Sequence, residues 1–132
     1  MDCIFCKIVA GEIPSYKVYE DDNVLAFLDI APCNPGHTLV IPKQHYKNIE
    51  DASEEILAQL MSGVKKVGMA IKEKLGYGGY NIMENNDPIA GQEVPHLHWH
   101  IIPRKEGDGY KLWQHGKYAT GEAEEIFAKF KA

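Results

Sequence analysis

A chain of 132 residues, 45% hydrophobic and 25% charged, carries enough apolar material for one packed domain over residues 1–132 and too much for a disordered one. Its formal net charge of -5 argues against an extended basic groove for nucleic acid, and no apolar run is long enough to span a membrane. The 3 cysteines fit no disulfide framework, and Met1-Asp2-Cys3-Ile4-Phe5-Cys6-Lys7 lacks the basic-then-apolar pattern of a secretory signal, so a cytoplasmic chain with reduced thiols is expected.

Cys3 to Ala10 reads as a short helix ending at Gly11, with Cys3 and Cys6 on one side of a turn. Lys17 to Glu20 reads as a strand, Asp21-Asp22-Asn23 as a turn, and Val24 to Asp29 as an apolar strand. Pro32, Asn34, Pro35 and Gly36 mark a loop before the β-branched strand His37 to Ile41, which Pro42 stops. Asp51 to Leu75 reads as one long helix. Ile56, Leu60, Val64, Val67, Ile71 and Leu75 recur at spacings of three and four, Asp51-Ala52-Ser53-Glu54 suits a capping box, and Gly76 suits a stop. Gly63 and Gly68 run against that helix. Tyr80 to Met83 reads as a strand, Asn85 to Gly91 as a loop, and His96 to Ile102 as a strand ending at Pro103. Residues 107–121 read as irregular and Glu122 to Phe130 as a helix with Ile126, Phe127 and Phe130 on one side. The order predicts an α+β domain: an antiparallel sheet with one main helix packed on it.

His96-Leu97-His98-Trp99-His100-Ile101-Ile102 is the centre of the functional reading. In a strand, successive side chains point to opposite faces, so the three imidazoles share one face and Leu97, Trp99 and Ile101 the other. Three imidazoles on one face point to metal ligation or to chemistry on an anion, because imidazole serves as ligand, nucleophile, acid and base near neutral pH.

Two constellations form around this run. Cys3, Cys6, His45 and His96 make up a two-thiol, two-imidazole set suited to a tetrahedral, structural Zn²⁺; the alternative is that Cys3 and Cys6 are ordinary helix-face thiols. Cys33 stands alone as a buried or loop thiol. The second constellation is catalytic. A neutral His98 can attack phosphorus if a hydrogen bond fixes its tautomer, His100 can donate to a phosphate oxygen or the leaving group, and His37 can support both from a neighbouring strand or simply bond to backbone. Asn85 and Gln92 offer amides to phosphate oxygens. Asp29 suits two ribose hydroxyls, or alternatively a turn or helix cap. Phe5, Ile8 and Phe27 can wall a flat base or can simply be core.

These residues resemble the histidine-triad family, whose signature is His-φ-His-φ-His-φ-φ with φ apolar. The resemblance extends to Phe5-Cys6-Lys7-Ile8, Glu12-Ile13-Pro14, Tyr19-Glu20-Asp21, Ala26-Phe27-Leu28-Asp29-Ile30, Pro35-Gly36-His37, Val40-Ile41-Pro42-Lys43 and Gly91-Gln92, so it spans roughly residues 2 to 105. It implies that two subunits join their sheets into a homodimer, that a purine nucleotide (an AMP or GMP moiety) is the partner, and that hydrolysis occurs at the α-phosphorus through a nucleotidyl-histidine on His98. His100, Gln92 and Asn85 would contact or place the phosphate, His37 would assist, Asp29 would hold the ribose, and Phe5, Ile8 and Phe27 would lie near the base. In bacterial-type members and related uridylyltransferases a C-x-x-C pair and two histidines hold zinc, which makes Cys3, Cys6, His45 and His96 the ligands and moves His96 out of the chemistry. Purine nucleoside phosphoramidates are the first substrate class implied. Dinucleoside polyphosphate hydrolysis (Pro103-Arg104-Lys105 resembles that branch), nucleotidylyl transfer, or a non-catalytic zinc-stabilised nucleotide-binding module are the alternatives. Glu93 stands where many phosphoramidase members carry Ser or Thr, and the tail over about 106–132, with Tyr110, Trp113 and His115, is expected to contribute to substrate choice.

Overall fold

A computed structural model describes residues 2–132. Helix α1 (Ile4–Val9) leads to strands β1 (Lys17–Glu20), β2 (Val24–Leu28) and β3 (Thr38–Pro42), helix α2 (Glu54–Leu75), strands β4 (Gly79–Glu84) and β5 (Trp99–Arg104), and helix α3 (Glu122–Lys131). The strands form one antiparallel sheet in the order β1-β2-β3-β5-β4, with Leu39 opposite His100 and Val40 opposite Trp99. This is the α+β arrangement expected from the order of elements. Among the described residues no helix is long and apolar enough to cross a membrane.

Strand parity divides the core into two layers. Val24, Ala26, Val40, Leu97, Trp99 and Ile101 face the apolar stripe of α2, formed by Ile56, Leu60, Val64, Val67 and Ile71. On the other face Leu25, Phe27, Leu39 and Ile41 pack with Cys3, Phe5 and Ile8. Each large side chain buried here contributes roughly 1.5–3 kcal/mol. Gly63 and Gly68 let the stripe lie close to the sheet: a Cβ at Gly63 would sit 3.1 Å from Val24 Cγ1, and one at Gly68 would run into the Tyr80 ring. The glycines that weakened the helix in sequence thus set its distance from the sheet.

Several boundaries differ from expectation. Helix α2 begins at Glu54, with Ser53 Oγ accepting the Ile56 N–H. Asp51 is not its cap; it ends a 3₁₀ turn over Ile49–Asp51, and its carboxylate accepts the Lys47 N–H. Ladder pairing of β5 starts at Trp99 and runs through Pro103 to Arg104, so His96 and His98 precede the strand. There the backbone is engaged elsewhere: the Leu97 N–H donates to the Tyr46 carbonyl and the His96 N–H to that of Val94. Helix α3 forms as expected, but Ile126, Phe127 and Phe130 remain exposed.

Candidate active site and metal centre

The first cluster is built at the N-terminus of α1. Cys3 is its N-cap, with Sγ accepting the Cys6 N–H, so the first helical turn presents both thiols together. His96 Nδ1 lies 3.4 Å from Cys3 Sγ, 3.6 Å from Cys6 Sγ and 3.2 Å from His45 Nδ1, while Cys6 Sγ and His45 Nδ1 are 3.4 Å apart. All four donor atoms fall within 4.8 Å of one another. A tetrahedron with metal–ligand arms of about 2.0–2.3 Å has edges of roughly 3.3–3.8 Å, so the set fits Zn²⁺. His96 Nε2–H donates to the Pro42 carbonyl at 2.9 Å, which leaves Nδ1 deprotonated and aimed at the cluster. Burial holds the His96 pKa at about 4, in the neutral form a ligand needs.

The second cluster follows on the same face. His98 Nδ1 lies 2.7 Å from the His96 carbonyl. A carbonyl only accepts, so Nδ1 carries the proton and Nε2 keeps its lone pair. A similar chain of reasoning fixes His37 and His100. The Cys33 N–H donates to His37 Nδ1 at 3.1 Å, so the neutral His37 ring carries its proton on Nε2. That proton faces His100 Nδ1 at 3.0 Å, with Asp29 Oδ2 farther away at 3.6 Å. His100 Nδ1 therefore accepts, and its Nε2–H is left as a donor. Asp29, His37 and His100 converge closely enough to resemble a ligand set. However, the only nitrogen His37 could offer bears a proton, so His37 and His100 form a hydrogen-bonded relay with the Asp29 carboxylate beside it. Burial lowers the pKa values of His37 and His98, and burial together with the His98 and His37 rings lowers that of His100 to about 4. All three rings are neutral at pH 7.

His98 and His100 line a cavity of about 900 Å³. Phe5, Ile8 and Phe27 form part of its apolar wall, with Phe5 set edge-on to both Phe27 and His98 at centroid distances of 5.5 Å and 5.1 Å. His37, Asp29 and Asn85 also line it. Asp29 Oδ1 accepts the Ala31 N–H in a turn, and the residue also lines the cavity.

Gln92 departs from expectation. Its side chain is buried, with Oε1 accepting the Asp87 N–H and Nε2 donating to the Lys47 carbonyl. It is not among the residues that line the cavity, and its amide braces the loop. The brace is needed because Asp87 holds φ +74°, a region that side chains rarely adopt. Asn48 Nδ2, donating to Asp87 Oδ1, holds the same residue.

Sequence reading missed Ile102 and Arg104, which follow His98 and His100 at the same parity and share their wall. Asn81 and Met83 of β4, opposite Ile102 and His100, also line it. Extending the alternation two residues past Ile102 finds the first pair; the second needs the register. Tyr110, Leu112 and Trp113 bring the tail to the cavity. Of these, Tyr110 is held by Arg104, which grips Asp108 through two hydrogen bonds of 2.8 and 3.0 Å and also donates to Asn81 Oδ1 and the Tyr110 carbonyl. Asn34 Nδ2 and the N–H groups of Lys105 and Tyr110 donate to the same carboxylate.

Residues 10–107 match the model of the HIT domain. The chain is 51% identical over 129 residues to an uncharacterised HIT-like protein of Methanocaldococcus jannaschii, covering 98% of each. It is 51% identical over 104 residues to a Schizosaccharomyces pombe protein named adenosine 5'-monophosphoramidase, covering 79% of this chain and 75% of the relative. A crystal structure of a HIT-family member from Bacillus subtilis superposes with a TM-score of 0.90 at 44% identity, covering 99% of this chain and 96% of that one. A Zn-bound histidine triad family protein from Mycobacterium smegmatis superposes with a TM-score of 0.80 at 35% identity, covering 99% and 96%.

Proposed function

Because the chain belongs to the HIT family, we propose that it is a nucleotide hydrolase acting at the α-phosphorus of purine nucleoside phosphoramidates. The observation that carries this reading is the His98 tautomer: with Nδ1–H committed to the His96 carbonyl, Nε2 is a neutral nucleophile on the cavity wall. Nε2 attacks phosphorus, an N–P bond to His98 forms, and the bond from phosphorus to the leaving nitrogen breaks. His100 Nε2–H hydrogen-bonds the departing nitrogen, which leaves as the free amine with a proton drawn from solvent. Water then displaces His98 from phosphorus, releasing the nucleoside monophosphate and returning a proton to solvent. Asp29 takes the ribose hydroxyls, Asn85 helps place the phosphate, and the base lies against Phe5, Ile8 and Phe27. The name of the yeast relative supports the phosphoramidate class.

Cys3, Cys6, His45 and His96 would hold Zn²⁺, which would fasten α1 to the histidine segment and take no part in the reaction; the donor geometry and the Zn-bound neighbour support this. In the same reading the protein is a homodimer. Strand β4 lies at one edge of the sheet with Ile82 and Met83 exposed, which suits extension by a second copy.

The test is turnover of an adenosine 5'-phosphoramidate by wild type and His98→Ala, with an acid quench to trap a nucleotidyl-protein. Rapid turnover and a trapped adduct in wild type alone are expected. Equal rates in the two proteins would refute the assignment.

A further inference from the structure

The formal charges on the cavity wall are Asp29, Glu93, Arg104 and Lys111. Arg104 is matched by the Asp108 carboxylate, and Asp29 is already engaged by Ala31 and faces His37. Lys111 belongs to the exposed tail. Glu93 is exposed and forms no hydrogen bond or ion pair with any described residue. It lines the main cavity and also a shallow one beside the metal cluster, where Lys47 is a neighbour but not a partner, so it stands on the rim between them. An unpaired carboxylate at this position attracts a cation and repels an anion on the part of the substrate that reaches the rim.

We propose that Glu93 is a specificity residue that selects substrates whose leaving amine carries a second, positively charged group, as an aminoalkyl amine does, and disfavours those with an anionic leaving group. The inference rests on the hydrolase reading. The P–N bond still breaks as His98 Nε2 bonds to phosphorus, and the leaving nitrogen takes one proton; the distal ammonium is a spectator that Glu93 holds.

Three adenosine 5'-phosphoramidates with the same P–N linkage and equal chain length test this, one ending in an ammonium, one in a carboxylate and one in a methyl group. The wild type should give kcat/KM for the ammonium compound roughly five- to tenfold above that for the carboxylate, a ratio in keeping with one partly solvated ion pair. Glu93→Gln should bring that ratio close to one while changing the methyl compound by less than about twofold, and added salt should shrink the wild-type ratio. Glu93 is exposed, so the variant will fold. A wild-type ratio near one, or a ratio unchanged in Glu93→Gln, would overturn the proposal. If none of the three is cleaved, the hydrolase reading fails instead. Dissociation constants of the same compounds then decide Glu93: a preference for the ammonium compound that Glu93→Gln removes upholds it, and charge-independent binding overturns it.

Discussion

The carbonyl oxygen of His96 lies 2.7 Å from Nδ1 of His98, so one residue serves two sites. Its side chain joins the Cys3, Cys6 and His45 cluster and its main chain fixes the tautomer of His98, the proposed nucleophile. The first expectation follows from this coupling. Cys6→Ser, or prolonged chelation, should release about one zinc per chain and lower the melting temperature by about 10 °C or more. Because the His96 carbonyl moves with the cluster, kcat should also fall, although a metal held there would touch no reacting atom. Metal analysis, calorimetry and steady-state rates check the three statements separately.

The buried rings predict an acid limb. Burial depresses the pKa values of His37, His98 and His100 below 6.5, with His100 at about 4. A histidine whose folded pKa is depressed takes up its proton more readily in the unfolded chain. Its stabilising contribution is therefore complete above pH 6.5 and is lost as pH falls from 6.5 toward about 4. Melting temperature measured across pH 4–8 should be level at the upper end and decline through that window, and kcat/KM should hold to below pH 6.5 before it drops.

His37 acts through His100. Replacing it with Phe removes the donor that holds His100 Nδ1 as an acceptor and frees that ring to take the other tautomer. The expectation is a fall of roughly 10- to 100-fold in kcat with KM within about threefold, in the usual range for a general acid–base contribution. His37→Gln, whose amide can donate, should restore part of the loss. A change confined to KM would contradict the relay.

Gln92→Ala leaves the Asp87 N–H and the Lys47 carbonyl without their partner. The cost should be about 1–3 kcal/mol of stability by denaturant unfolding. The proteolytic sensitivity of the loop over 85–91 should rise as Asp87 relaxes from φ +74°. If Gln92 instead contacted phosphate, stability would be unchanged and only the kinetics would move.

Gly68→Ala brings a methyl group into the Tyr80 ring at the contact between α2 and β4. Overpacking of this kind costs about 1–3 kcal/mol, more than the gain in helix propensity returns. Equilibrium unfolding of the variant measures it directly.

Much of this molecule could be read from the chain because periodicity reports facing. The three-and-four spacing of Ile56 to Ile71 gave α2, and the alternation of Leu97, Trp99 and Ile101 with the histidines gave both faces of the segment that carries the site. The extent of β5 was less visible, since where pairing starts depends on what else the backbone bonds to, here Tyr46 and Val94. The loop-bracing bonds of Gln92 were hidden for a related reason. An amide in a polar loop beside a catalytic segment looks the same whether it faces ligand or the loop's own backbone, and only the positive φ of Asp87 shows why the second was needed. The place of Arg104 on the cavity wall was hidden because its parity with His98 and His100 matters only once the strand is known to run through Pro103.

The knot at Asp108 separates two kinds of change. One carboxylate gathers Arg104 at the end of β5, Asn34 from the loop before β3, and the Lys105 and Tyr110 N–H groups of the departing tail. The hydroxyl of Tyr110 adds a bond to the Cys33 carbonyl, and beyond Tyr110 no residue is buried, in α3 or before it. Lys111, Leu112 and Trp113 therefore line the cavity from a segment that shares no hydrogen bond with His37, His98 or His100, so substitutions there recut its wall and leave the imidazole tautomers as they are.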